Sequence, residues 1–265
     1  MRYDQAFKEL LEFREKSALG LKKLIDNLRK EVVLELVNAG SLDPIKSEQV
    51  LRKVNKLIDE YKPLMESEMS ENQQRIFKKT VGWVNKLLKG SGVTEALPFI
   101  SEAKYKRLQN YGAELITNLT NEMRKSIANE LQLSVLGQKN LSETIAGIGK
   151  NLKSPSVFGT IAKRAEVIQR TEVNRINQLA MFDRLEQAKL QGIKMNKKWL
   201  HSYVGVPRTG HLLLHNVVIP YDQKFKIISE DGTRTYYADF PHDITLPVGE
   251  VVNCRCLCIP VEITV

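Results

Sequence analysis

Leu21, Leu24, Leu28, Val32 and Leu36 recur at intervals of three and four, and stripes of this period run through most of the first 190 residues. Such spacing puts apolar side chains on one face of an α-helix, so this part of the chain must bury helix against helix. A second stripe, Val50, Val54, Leu57, Tyr61 and Leu64, follows a start signal at Asp43-Pro44, where the aspartate can cap and the proline suits the first helical position. Pro63 is expected to kink or end that helix. A shorter helix is expected over 72–90, closed by Gly90-Ser91-Gly92. Leu108, Tyr111, Leu115, Leu119, Met123, Ile127 and Leu131 then step mostly by four, which suits a curved helix with several neighbours. A short helix with Ser142 as its N-cap is expected after the turn formers at 137–140.

Ser154 and Pro155 open the longest expected helix, about 155–190, which ends before Gly192. Phe158, Ile161, Ala165, Ile168, Ile176, Leu179, Phe182 and Leu185 form its apolar face. The stretch QRTEVNR interrupts that face with Thr171, Glu172, Asn174 and Arg175. Glu172 falls four residues after Ile168 and four before Ile176, where a hydrophobe is expected. A charge facing the core needs a partner, so the interruption reads as a polar junction. Arg255 or Arg208 is the expected partner of Glu172.

From Asn196 onward the apolar runs are short, rich in β-branched and aromatic residues, and separated by turn formers. Asp231-Gly232 marks a hairpin, and DFPHDITLPVGE is a proline-rich loop. The fold class is therefore α+β: an elongated, mostly helical first two-thirds, a long helix, and a small antiparallel β unit. The expected division is a helical region over 1–140 and a domain over 141–265, with its β unit over 196–265.

The net charge of +9 is uneven: residues 151–200 hold 10 Lys and Arg against 4 Asp and Glu. Lys163, Arg164, Arg170 and Arg175 are candidate contacts for nucleic acid or an acidic partner, with a solvated helix face as the alternative. The first residues alternate charged and apolar types without the apolar stretch of a secretory signal, and no run is long enough to span a membrane. A reducing, cytosolic compartment is expected.

All three cysteines, Cys254, Cys256 and Cys258, lie in NCRCLC. Their odd count and spacing suit an ordinary disulfide poorly. In a strand over 250–259 they would share one face, with Asn253 and Arg255 on the other. Two thiolates so spaced can share a zinc ion if the strand bends, with His211, His215 or His242 as further ligands. Simple burial of three small apolar side chains is the alternative. His211, Glu250 and Asp243 could be cast as a catalytic metal site. However, phosphate-loop, zinc-protease and nucleophile-elbow motifs are missing, so no catalytic residue is assigned and no enzyme is expected.

Taken in order, RAEVIQRTEVNRINQLA, KKWLHSYVGVPRTGHLLLHNVVIPYDQKF, FPHD and GEVVNCRC resemble the phage Mu F-like minor head (head morphogenesis) proteins. The likeness covers about residues 140–260. It maps Thr171, Glu172, Trp199, Arg208, His211, Phe225, Pro241, Asp243, Asn253, Cys254, Arg255 and Cys256 onto the family's motif. His215-Asn216 stands where the family has an Asp-Gly turn, and Cys258 is an addition. The resemblance implies a structural virion protein of a tailed phage or prophage. Such a protein is assembled in the bacterial cytoplasm, meets portal, capsid or scaffold proteins and handles entering DNA. Some relatives carry appended effector toxins; with seven residues after Cys258, none is expected at that end. A DNA-binding module and a metal-dependent enzyme remain the alternatives, and structural zinc is the one cofactor considered.

Overall fold

The computed structural model describes residues 3–90, 102–153, 155–201 and 208–264. The helices α1 (Tyr3–Ala39), α2 (Pro44–Gly90), α3 (Glu102–Val135), α4 (Leu141–Ile148) and α5 (Val157–Leu190) come first. They are followed by β1 (Lys194–Leu200), α6 (Thr209–Leu213), β2 (Val218–Pro220), β3 (Phe225–Ile228), β4 (Thr235–Ala238), α7 (Val248–Val251) and β5 (Leu257–Thr264). The fold is α+β, with long helices leading into a small antiparallel β unit, as the change in periodicity predicts. No helix of the described residues is long and apolar enough to cross a membrane.

Several local expectations are revised. Pro63 does not end α2, which runs for 47 residues in all and absorbs the separate helix expected over 72–90. Proline removes one backbone donor, but nothing between residues 64 and 72 offers the chain a competing turn. Asn72 instead bonds back to Glu68 at 2.9 Å, one helical turn away. The buried stripe runs Val50, Val54, Ile58, Met65 and Met69, leaving Leu64 exposed. Asn140, not Ser142, caps α4: its side chain accepts from the Glu143 backbone, and Glu143 reaches back to complete a capping box. The expected cap Ser154 lies outside the described residues, and Ser156 accepts a hydrogen bond from the Gly159 backbone in the first turn of α5. Asp43 caps α2 as expected, accepting from the Lys46 backbone at 2.9 Å.

The chain divides into two compact units, each drawing segments from both sides of residue 140. One comprises residues 15–72 and 109–169. Its core is aliphatic: Leu21, Ile25, Leu28 and Val32 meet Val54, Ile58, Leu119, Met123 and Ile127, with Phe158 and Ile161 from the start of α5. Arg29 latches this unit by donating to the Lys150 carbonyl at 2.6 Å.

The other unit comprises residues 1–14, 73–108 and 170–265. Its three-stranded sheet has the order β2-β1-β5, antiparallel throughout, and β3 and β4 form a separate hairpin. In the register, Trp199 faces Cys258 and Leu200 faces Leu257. Trp199, Phe225, Phe182, Ile227, Leu185 and the three cysteines share one core. Asn216, at φ 66°, makes a left-handed turn ahead of β2.

Candidate metal centre

The cysteine segment is not the continuous strand that alternation suggested. Residues 248–251 form a helical turn, Asn253 follows at φ 57°, and β5 starts only at Leu257. Cys254 and Cys256 therefore lie on a bend, where two sulfurs can converge as an extended strand would not allow. The Cys256 backbone N–H points at the Cys254 sulfur, 3.4 Å away. Cys258, one strand residue into β5, lies apart from that bend, and burial pushes its thiol well above the usual range.

Helix α5 holds the bend through the polar interruption in its apolar face. Asn174 donates to the Cys254 carbonyl at 2.9 Å, Thr171 accepts from the Asn253 N–H at 3.3 Å, and Gln178 accepts from the Cys258 N–H at 3.0 Å. Residues 171, 174 and 178 share one helical face, so the junction is a ladder of side chains satisfying an irregular backbone. The expected pairing of Glu172 with Arg255 or Arg208 is replaced by a shorter-range one. Glu172 meets Arg175 at 2.9 Å, one turn along α5. Burial raises the Glu172 carboxyl to about 7, against the opposing pull of Arg175.

His211 arrives on α6, whose Gly210 packs directly on β3. A Cβ at that position would collide with the Ile228 carbonyl oxygen. His211 Nδ1 lies 3.4 Å from Cys254 Sγ and 3.7 Å from Cys256 Sγ. Its Nε2 lies 3.0 Å from the Glu250 carboxylate. Arg208 donates to the Val252 carbonyl at 2.8 Å and stands 3.9 Å from Glu250. Trp199, fully buried, packs edge-on against His211 at 5.3 Å and against Phe225 at 5.2 Å. Hydrogen bonding from Cys256 holds the Cys254 thiol well below its usual range, and the same shared proton pushes Cys256 up.

His211, Cys254 and Cys256 are all buried, and their ligand atoms lie within 4.8 Å of one another, so this group could hold a metal ion. The structure thus gathers Thr171, Trp199, Arg208, His211, Phe225, Asn253, Cys254 and Cys256 in one unit. Pro241 and Asp243 shape a neighbouring loop, where Asp243 accepts from the backbone of Asp239 and Thr245. Arg255 is half-buried. The basic candidates form no single exposed patch: Lys163 and Arg164 are exposed, with Arg164 paired to Glu122, while Arg170 and Arg175 are half-buried. Residues 202–207 of the expected β unit lie outside the described residues.

Two features escaped the sequence reading. Lys197, on the inward face of β1, is completely buried, with its ammonium 5.4–5.8 Å from the Phe182, Phe225 and Tyr221 rings and 3.5 Å from Asp239. Beside it, a cavity of about 610 Å³ is lined by Phe182, Tyr221, Phe240, Asp183, Glu186 and Asp222, among others. A lysine at a core register position is the one signal that pointed there.

No family model matches this chain. No solved structure matches it. Over 164 residues it is 28% identical to NAD(+)--arginine ADP-ribosyltransferase EFV of Enterococcus faecalis (strain ATCC 700802 / V583), a stretch that makes up 62% of this chain. The same stretch is 29% of that relative's length, so the chain spans under a third of it. The similarity corrects two expectations, that of a structural head-assembly protein and that of a chain that is not an enzyme, because the protein it resembles is named for a transfer reaction.

Proposed function

We propose that this chain is a zinc-stapled module that serves ADP-ribosyl transfer from NAD(+) to arginine. The similarity to a transferase of that name supports the reaction class. The observation that carries the reading within the chain is the cavity of about 610 Å³, a size suited to a small-molecule site. Phe182 and Tyr221 stack there at 5.5 Å and Phe240 tilts against Phe182 at 4.4 Å. Carboxylates of Asp183, Glu186, Asp222 and Asp239 share the wall, with Arg107 and Lys189. Aromatic faces beside carboxylates suit a planar cation. The nicotinamide of NAD(+) and the guanidinium of arginine are both planar cations.

Zinc is supported by the donor set. Tetrahedral zinc with Zn–S of ~2.3 Å and Zn–N of ~2.0–2.1 Å separates sulfur from nitrogen by about 3.5 Å. The two observed separations, 3.4 and 3.7 Å, bracket that value. Thiolate with imidazole favours zinc over the hard cations, and a closed, buried site is of the structural kind. The resemblance to the Mu F-like domain is retained as a proposal of shared descent for residues 140–260. It is supported by the meeting of Thr171 and Asn253, motif residues 82 positions apart, beside the cysteines.

Elemental analysis of the purified chain should find one zinc per molecule, lost in Cys254→Ser. A metal-free wild type of full thermal stability overturns the zinc. With NAD(+) and agmatine, a small guanidino acceptor, the chain should release nicotinamide and yield ADP-ribosyl agmatine by mass spectrometry. Zinc-bearing protein that neither binds NAD(+) nor forms this product overturns the transfer reading alone.

A further inference from the structure

Three ligands leave a tetrahedral ion one short, and the protein holds a residue otherwise hard to explain. His242 is completely buried, and among the described residues its ring nitrogens meet no nitrogen or oxygen partner, only the Cys254 sulfur. A buried imidazole whose hydrogen-bonding capacity is left largely unused is costly to fold around, so such a group calls for a ligand. Its backbone is held at φ 69°, a conformation that a non-glycine residue adopts at a cost and that concentrates at functional sites.

The loop around His242 is built to keep it there. Asp243 accepts from the Asp239 N–H and from both the N–H and the hydroxyl of Thr245, each at 2.9 Å, and its own N–H reaches the Phe240 carbonyl at 3.3 Å. These bonds tie residues 239–246 into a tight turn with His242 at its inner corner. Hydrogen bonding and charge from the ring both act on the Cys254 sulfur, which sets His242 beside that thiol though outside the 4.8 Å reach that His211, Cys254 and Cys256 share.

We propose that His242 is the fourth ligand, completing a Cys254–Cys256–His211–His242 site, with Glu250 as the carboxylate that orients His211 through its far nitrogen. The inference rests on the zinc reading and deepens it. Four protein ligands leave no position for water, so the ion fastens the 239–246 loop, α6 and the start of β5 to one point. A carboxylate on the outer nitrogen of a ligating histidine is the usual way its tautomer and ring orientation are set. Glu250 stands 3.0 Å from His211 Nε2, with Nδ1 facing the sulfurs, close enough to take that role once the ring is fixed by an ion, although Nε2 makes no hydrogen bond in this structure.

Cobalt(II) titration of the full chain tests this. Wild type should bind one equivalent with the strong visible absorption of a tetrahedral ion. His242→Ala should weaken binding by at least about tenfold and reduce that absorption to the weak bands of a higher-coordinate, water-bearing ion. His242→Cys should restore the intensity and add a third thiolate-to-cobalt charge-transfer contribution. His201→Gln, at the other buried imidazole of this region, should leave the spectrum unchanged. A His242→Ala protein with wild-type affinity and spectrum overturns the fourth ligand while leaving the three-residue site standing, as does transfer of the effect to His201. A wild type that takes up no cobalt or zinc removes the underlying zinc reading instead. X-ray absorption of the wild-type zinc protein gives an answer free of any folding defect in the variants. Two sulfurs with two imidazoles are expected, and two sulfurs with one imidazole overturn the proposal.

Discussion

The two units solve the same problem with different chemistry. The unit of residues 15–72 and 109–169 buries an interior of leucine, isoleucine, valine and methionine, and among its described residues Arg29 is the one buried charge beside small hydroxyl and amide side chains. The unit containing the β-strands buries Glu172, Asn174, Gln178, Lys197, His211, His242, Asp243 and Glu250. A long amphipathic helix satisfies its own backbone and needs only an apolar neighbour. Strands of three to eight residues joined by irregular loops leave backbone groups unsatisfied, and side chains from α5 supply the missing bonds. The first unit is held by area, which tolerates local change. The second is held by specific partners, each of which fails when its mate is removed.

Given zinc bound as proposed, its removal is the largest test of this contrast. Chelation, or Cys256→Ser, should unfold the β-bearing unit by several kcal/mol, since structural zinc contributes on the order of 10 kcal/mol to small metal-folded domains. Hydrogen exchange should then rise across 194–264 while amides of 15–72 stay protected. Simultaneous exchange of both sets breaks the contrast. Next in size, Leu28→Ala removes a fully buried side chain from the aliphatic core. It should lower stability by about 2–5 kcal/mol in denaturant melts without changing the zinc content.

A pH effect comes third. The folded-state value of Glu172, about 7, lies above its ordinary 4.5, so the fold binds more protons than the unfolded chain between these values. The stability that neutral Glu172 contributes is full below about 4.5 and is lost as pH rises through 7. It amounts to no more than about 3 kcal/mol. Comparing Glu172→Gln with wild type isolates the term from metal release, which has the opposite pH trend. The variant should gain on wild type as pH rises, and parallel curves refute the shift. The smallest expected effect is Asn174→Ala. It strips the Cys254 carbonyl of its side-chain donor and should cost about 1–2 kcal/mol in thermal melts, with an increased zinc off-rate.

Much of the first unit was readable because periodicity reports directly on helices. The misreadings there were local: α2 passes through Pro63, the α2 stripe is displaced by one residue at its end, and Asn140 outcompetes Ser142 as a cap. The candidate site was readable in part. The polar break on α5 and the pairing of His211 with Cys254 and Cys256 followed from position and residue type. The bend at Asn253 did not, because alternation continues through NCRCLC and cannot report a left-handed residue. Lys197 was missed for a related reason. A lysine in a strand ordinarily reads as solvent-facing, and only the tertiary arrangement of three aromatic rings makes its burial tolerable.

Cys254 lies 43 positions from His211 and 80 from Asn174. Contacts that distant form late, after the loop entropy between them has been overcome by other structure. Until then the two thiols of NCRC are open to oxidation, and a sulfenic acid or a disulfide to another molecule would compete with the proposed metal for the same sulfurs. The order of events during folding thus becomes a vulnerability. A newly made chain that meets oxidant before zinc would be trapped with its last strand unanchored, and its yield of native protein would depend on metal supply during synthesis.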